Sequence, residues 1–132
     1  MTEARRRWPL LLAAFFGATG VIAGAFGAHA LQQTVAPEYL QVWETAARYQ
    51  LLHALGLFAL ALFSWVVPLP GALRWTQWLW CGGILIFSGS LYALVLTGER
   101  WLGAITPFGG AALILGWAAI AVAAIRQRAP AS

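Results

Sequence analysis

Four long apolar stretches, at residues 8–31, 49–67, 75–97 and 107–125, alternate with short segments that carry most of the polar residues and prolines. Each stretch meets the requirement for crossing a membrane, about 20 mostly apolar residues for a ~30 Å hydrocarbon core. None of the connections could bury a core of its own in water. The pattern predicts an all-α fold, an integral membrane four-helix bundle forming one transmembrane domain over residues 1–132. Prolines mark the boundaries: Pro9 is expected to open helix 1, Pro68 and Pro70 bracket the second turn, and Pro107 opens helix 4 with Thr106 as its N-cap. Helix 2 is expected to begin near residue 37, outside the apolar stretch, because Glu38 to Arg48 continues with helix formers and offers Glu44 and Arg48 as an i,i+4 pair.

Composition strengthens this picture. The chain is 61% apolar and only 9% charged, against roughly 25% charged residues in soluble domains. Its net charge of +4 comes from arginine alone. With four crossings both termini share a side, and that side collects Arg5, Arg6, Arg7, Arg74, Arg126 and Arg128, leaving Arg48 and Arg100 for the other. The positive-inside rule therefore predicts N-in and C-in, and such a basic cluster also attracts anionic lipid. Tryptophans give a second test of the spans, because the indole ring favours the headgroup level. Trp8, Trp65, Trp75 and Trp78 fall at the ends expected to be cytoplasmic, Trp43 and Trp101 at the external ends, and Trp80 and Trp117 deeper. Arg5 to Arg7, the following apolar run and Ala28-His29-Ala30 imitate a signal peptide, but Pro9 to Ala28 is too long for its apolar core and long enough to span. The lone Cys81 says nothing about the redox compartment.

Lipid removes the hydrophobic drive for helices to associate, so small residues that let backbones approach take its place. Gly17, Gly20, Gly24 and Gly27 fall on one side of helix 1, Gly82 and Gly89 lie on helix 3, and Gly109 and Gly116 share a face of helix 4. These are expected to be packing seams. A faint echo relates Gly20 to Leu31 (GVIAGAFGAHAL) to Gly83 to Leu94 (GILIFSGSLYAL), 63 residues apart, the offset of a parallel repeat of two crossings.

Polar and ionisable groups within a span are costly and mark candidate sites. His29, Arg48, Tyr49, Gln50, His53, Ser88, Ser90 and Tyr92 all fall toward the external end, so polar content is expected to concentrate there. Tyr49, Gln50 and His53 should face the bundle, with Glu44 and Arg48 on the opposite side. The reading of least chemistry is interhelical hydrogen bonding. Sharper ones are a proton relay or small polar vestibule, a quinone or headgroup site, and ligation of haem or a transition metal by His29 and His53. No metal-site spacing accompanies the histidines, and no nucleotide-binding, nucleophile-elbow or nucleic-acid signature is present.

Several segments resemble a known family: Gly24-Ala25-Phe26-Gly27-Ala28-His29-Ala30-Leu31, Ala47-Arg48-Tyr49-Gln50-Leu51-Leu52-His53-Ala54-Leu55, Phe87-Ser88-Gly89-Ser90-Leu91-Tyr92, and Thr106-Pro107-Phe108-Gly109-Gly110 followed by Gly116-Trp117. This set is similar to the domain-of-unknown-function 423 family of small bacterial inner-membrane proteins, relatives of transmembrane protein 256. The resemblance implies a multi-pass, four-helix protein of the bacterial inner membrane and names no activity. The expected function is a non-enzymatic accessory or scaffold bundle, without cofactor, that contacts the lipid bilayer and packs through its glycine seams into a homo-oligomer or larger membrane complex. The alternatives are a small transporter or channel-like protein with an external polar vestibule and, third, a haem- or metal-binding membrane protein.

Overall fold

The computed structural model of the chain describes residues 3–127; of the basic cluster, the side chains of Arg5 and Arg6 and all of Arg128 lie outside the described residues. Four helices, α1 (Glu3–His29), α2 (Pro37–Val66), α3 (Gly71–Thr97) and α4 (Thr106–Arg126), are joined by one tight turn and two short 3₁₀ segments, Leu31–Gln33 and Arg100–Ala104. All four are long and apolar enough to cross a membrane, and no strand occurs among the described residues. Two starts differ from the sequence expectation. α1 begins at Glu3, where Arg7 Nη2 donates to Glu3 Oε2 at 3.2 Å, so Pro9 lies inside the helix. Thr106 does not cap α4 but is its first residue, and its hydroxyl meets the Leu102 carbonyl at 3.3 Å.

Successive helices run antiparallel. Gly20 lies against Leu51 and Gly27 against Trp43, Gly56 against Trp80, and Gly109 against Phe87. One end of the bundle thus carries both termini and the α2–α3 turn, the terminal end; the other carries the two 3₁₀ segments, the loop end. α2 and α3 form the central pair, with α1 packed on α2 and α4 on α3. The core is built around Trp80 and Leu57, which are 1% and 0% exposed, with Ala13, Phe16, Ile84 and Leu113 about them. A smaller cluster of Leu31, Trp43 and Val95 closes the loop end. Trp43 is therefore a buried anchor rather than a member of an interfacial belt: its Nε1 donates to the Ala23 carbonyl of α1 at 2.7 Å. α3 ends in a left-handed glycine cap, Gly98 with φ +75°, whose N–H donates to the Leu94 carbonyl at 2.8 Å.

Only some of the expected glycine seams are used within the chain. Gly20, Gly27, Gly109 and Gly116 each receive a neighbouring helix, whereas Gly17, Gly24, Gly82 and Gly89 have nothing within 4 Å of where a β-carbon would stand. The 100° wheel placed the first and second groups together because it cannot tell which side of a small-residue stripe the neighbouring helix takes. Two working glycines were missed: Gly56, beneath the Trp80 ring, and Gly83, where Leu113 seats. Gly83 receives Leu113 of α4 as Gly20 receives Leu51 of α2, so the two halves of the sequence echo use their matched glycines alike. At Gly109 an added methyl would strike the Phe87 backbone nitrogen and Cα, which cannot swing aside as a side chain can. Gly109→Ala is therefore expected to destabilise the protein by about 1–3 kcal/mol, whereas Gly24→Ala should cost nothing; SDS-induced unfolding followed by circular dichroism measures both.

Candidate functional site

The eight polar residues singled out at the loop end do not form one pocket; five belong to separate joints between helices. Gln50 is the hub of the first, held 4% exposed on the inner face of α2. Its Nε2 donates to the Phe16 carbonyl at 2.9 Å and to Thr19 Oγ1 at 2.7 Å, both on α1. Its Oε1 accepts the Tyr92 hydroxyl of α3 at 2.8 Å. One amide thus ties three helices. Thr19 still reaches the Phe15 carbonyl at 2.8 Å, so its own donor is used.

His53 makes the second joint, from α2 to α4. Its Nδ1 lies 2.8 Å from the Tyr49 carbonyl, and that acceptor can only take a proton, which fixes the hydrogen on Nδ1. Nε2 is then an acceptor, and Trp117 Nε1 donates to it at 3.0 Å. Both ring nitrogens are engaged, and the imidazole edge also packs against Trp80 and Trp117, with ring centroids 5.2 Å and 6.0 Å away. Each His53 lone pair or proton that could serve a metal or a relay is spoken for by helix packing.

Serines make the remaining joints. Ser88 donates to the Ala46 carbonyl at 2.7 Å, linking α3 to α2, and Ser90 lies 2.6 Å from Thr106 Oγ1, linking α3 to α4. In a dry interior such bonds to neighbouring backbones satisfy groups that lipid could not.

Three residues of the set stand apart. His29 is exposed at the last turn of α1 and is not among the hydrogen-bond or ring partners of His53, which come from α2, α3 and α4. Arg48 is exposed, and the Glu44–Arg48 pair expected from spacing is absent: among the described residues the only ion pair is Arg7 with Glu3. Tyr49 does not face the bundle as Gln50 and His53 do. It is 40% exposed and lies at the edge of the Phe87 ring, with centroids 5.1 Å apart. Among the described residues no three His, Cys, Asp or Glu side chains gather as a metal site would require.

Polar groups in the other half of the bundle escaped sequence reasoning. Ser64, Thr76 and Gln77 are all buried toward the terminal end, so polar content is not confined to the loop end. Thr76 donates to the Gly116 carbonyl at 2.9 Å and Ser64 to the Ala61 carbonyl at 2.6 Å. The partners Thr19, Trp80 and Trp117 were also missed as participants. The two mid-span indoles carried the available signal, since a buried N–H needs an acceptor.

Comparison with known proteins agrees with this architecture. The sequence pattern of a family described as a protein of unknown function, DUF423, matches residues 23–110. The UPF0382 membrane protein YwdK of Bacillus subtilis is 44% identical over 117 residues, covering 89% of this chain and 95% of its own. A UPF0382 membrane protein of Staphylococcus epidermidis is 42% identical over 117 residues, covering 89% and 94%. No solved structure matches the chain. With four membrane-crossing helices and relatives matched nearly end to end, this chain is a membrane protein that belongs to the DUF423 family.

Proposed function

We propose that the protein is a non-enzymatic accessory or scaffold bundle of the bacterial inner membrane, with both termini in the cytoplasm, which works by packing the outer face of α1 against another transmembrane chain. The observation that carries this reading is the unused part of the small-residue stripe. Gly17 and Gly24 share a face of α1, have no neighbour within 4 Å of a virtual β-carbon, and lie on the outside of the α1–α2 hairpin. Around Gly17 a shallow groove of about 510 Å³ is walled by Leu10, Ala14, Val21, Leu55 and Phe58. A small-residue face is the surface on which a further helix can approach closely in lipid. The loop-end polar groups support the same reading, since their hydrogen bonds join helices rather than line an aqueous path. The cationic excess of the terminal end supports the orientation.

Cross-linking in native membranes tests it. With Cys81 replaced by serine and Gly17→Cys introduced, a bifunctional thiol or photoactivatable reagent should give a discrete adduct, either a second copy or a distinct membrane protein. Gly17→Leu, which fills the groove without touching the core, should cut association of the otherwise wild-type protein at least fivefold in native mass spectrometry while leaving its helical content unchanged. A monomer with no adduct and no response to Gly17→Leu would overturn the reading. Reporter fusions at each terminus check the orientation.

A further inference from the structure

α1 and α4 flank the central pair of helices, and each keeps one flank without a neighbour. On α1 that flank carries Gly17 and Gly24, seven residues apart, with nothing within 4 Å of where their β-carbons would stand. Elsewhere in the chain a glycine pair with this spacing is filled. Gly109 and Gly116 of α4 receive Phe87 and Trp80, also seven residues apart, from the antiparallel α3. Two holes are thus closed by two bulky side chains at matching depths of the bilayer, and α1 presents the holes alone.

Bulky side chains at the right depths stand exposed on α4. Contacts between antiparallel neighbours fix the levels: Gly20 lies on Leu51, Ser88 donates to the Ala46 carbonyl, and Phe87 and Trp80 lie on Gly109 and Gly116. Counted through these contacts, Gly24 shares a level with Ala47, Phe87 and Gly109, and Gly17 with Ala54, Trp80 and Gly116. Phe108 and Leu115 stand one residue from those α4 glycines, about 1.5 Å along the axis, and are 73% and 55% exposed. They point away from α2, because Trp117, which reaches His53 of α2, lies roughly 160–180° around the helix from them. Ala111 between them and Ala118 beyond are exposed and small enough for another backbone to come close. No other exposed pair with this spacing on a helix fits among the described residues. Leu55 with Leu62 and Phe58 with Trp65 lie more than two turns nearer the terminal end, Trp78 of the Trp78 and Leu85 pair is stacked on Trp8, and Phe15 with Ile22 fall about 3 Å short of the glycines. A second α1 would set hole against hole.

Resting on the packing role proposed above for α1, we propose that its partner is a second copy of this chain docked head to tail. The α4 helix of one copy lies antiparallel in the α1–α2 groove of the next, between the walls made by Leu55 and Phe58, with Leu115 over Gly17 and Phe108 over Gly24. Copies of one chain insert in one orientation and at one depth, so both pairs meet without sliding. The two surfaces differ, so each docked copy keeps a groove or a ridge free for a further one, and the assembly closes as a ring or extends as a row.

Disulfide trapping in native membranes tests the contact. In the Cys81→Ser background, differently tagged copies carrying Gly17→Cys and Leu115→Cys, oxidised with copper phenanthroline, should join to each other at least fivefold more than either joins to itself. Replacing Leu115→Cys by Ile114→Cys, which is turned to the other flank of α4, should remove that excess. Native mass spectrometry of purified full-length variants tests the direction. Gly17→Leu blocks the groove, and Phe108→Ala with Leu115→Ala trims the ridge; each variant alone should associate at least fivefold less than wild type. Mixed in equal amounts they hold one intact groove and one intact ridge, and should form a one-to-one dimer. None of these positions is buried, so helical content should stay unchanged. Gly17→Cys copies joined chiefly to one another, or a ridge-trimmed variant that still self-associates, would mean a two-fold contact through α1 and overturn the head-to-tail arrangement. An adduct of Gly17→Cys with a different membrane protein, and none with Leu115→Cys, overturns it too while leaving the packing role of α1 intact. No adduct of any kind overturns both.

Discussion

Replacing Trp80 by alanine should destabilise the bundle by about 3–5 kcal/mol, the range for removing a fully buried tryptophan. Trp80 is 1% exposed, and its ring lies over two glycines, Gly56 of α2 and Gly116 of α4, from a position on α3 between them. Three helices therefore lose packing together. The indole N–H, donated to the Leu113 carbonyl at 3.1 Å, is lost as well. In lipid the vacated space cannot be closed by a stronger hydrophobic drive, since the surroundings are as apolar as the core. Unfolding from mild detergent into SDS, followed by far-ultraviolet circular dichroism, gives the change. A double-mutant cycle sharpens the assignment. Gly116→Ala alone drives a methyl into the indole and should be costly, whereas in the Trp80→Ala background the same methyl enters empty space and should be neutral or favourable. Additive effects would show that Trp80 and Gly116 do not meet.

The second large effect is expected at Gln50. Gln50→Ala removes three hydrogen bonds and a side chain that reaches both α1 and α3, and it leaves the half-buried Tyr92 hydroxyl without its acceptor. Interhelical hydrogen bonds in membranes average only about 0.6 kcal/mol each, and leaving the half-buried Tyr92 hydroxyl unserved adds about 1 kcal/mol, the low end of the range for buried groups. The sum is a loss of about 2–4 kcal/mol, measured as above. Tyr92→Phe combined with Gln50→Leu withdraws both partners and restores apolar volume, and should recover most of that loss. Failure of this rescue would mean that the Gln50 amide does more than hold helices together.

The four spans could be read from the sequence because a membrane constrains them so simply: about 20 apolar residues, bounded by proline, arginine and tryptophan. Which residues work at the interfaces was less legible. A glycine at Gly17 and one at Gly20 look identical in sequence, yet Leu51 presses on one and nothing approaches the other. Only the position of the neighbouring helix separates them. Trp43 looked interfacial because it lies outside the apolar run of α2, but the expected extension of that helix to Pro37 packs on α1 and buries the ring. For the candidate site, depth and polarity correctly drew attention to Gln50, His53, Ser88 and Tyr92 as groups needing partners. They could not reveal that the partners are backbone carbonyls, one another, Thr19 and Trp117, because a hydrogen bond between residues 31, 42 or 64 positions apart leaves no local pattern. Gln77 was passed over for the opposite reason. It lies one residue from Trp78 near the start of α3, where a glutamine looks solvated, and only the fold shows it buried.

The Trp43 hook on the Ala23 carbonyl and the Gln50 contacts to Phe16 and Thr19 all lie within the first two helices. They can close while α3 is still being synthesised, since domains and their parts emerge N-terminal first. The first hairpin thereby meets the translocon as a packed unit with two side-chain acceptors still unspent, Gln50 Oε1 and His53 Nε2. The second hairpin arrives with Tyr92 and Trp117 to fill them and Ser88 to fasten beside them. Biogenesis can thus proceed as two insertions and one docking, with the half-built protein holding two polar vacancies in the interval.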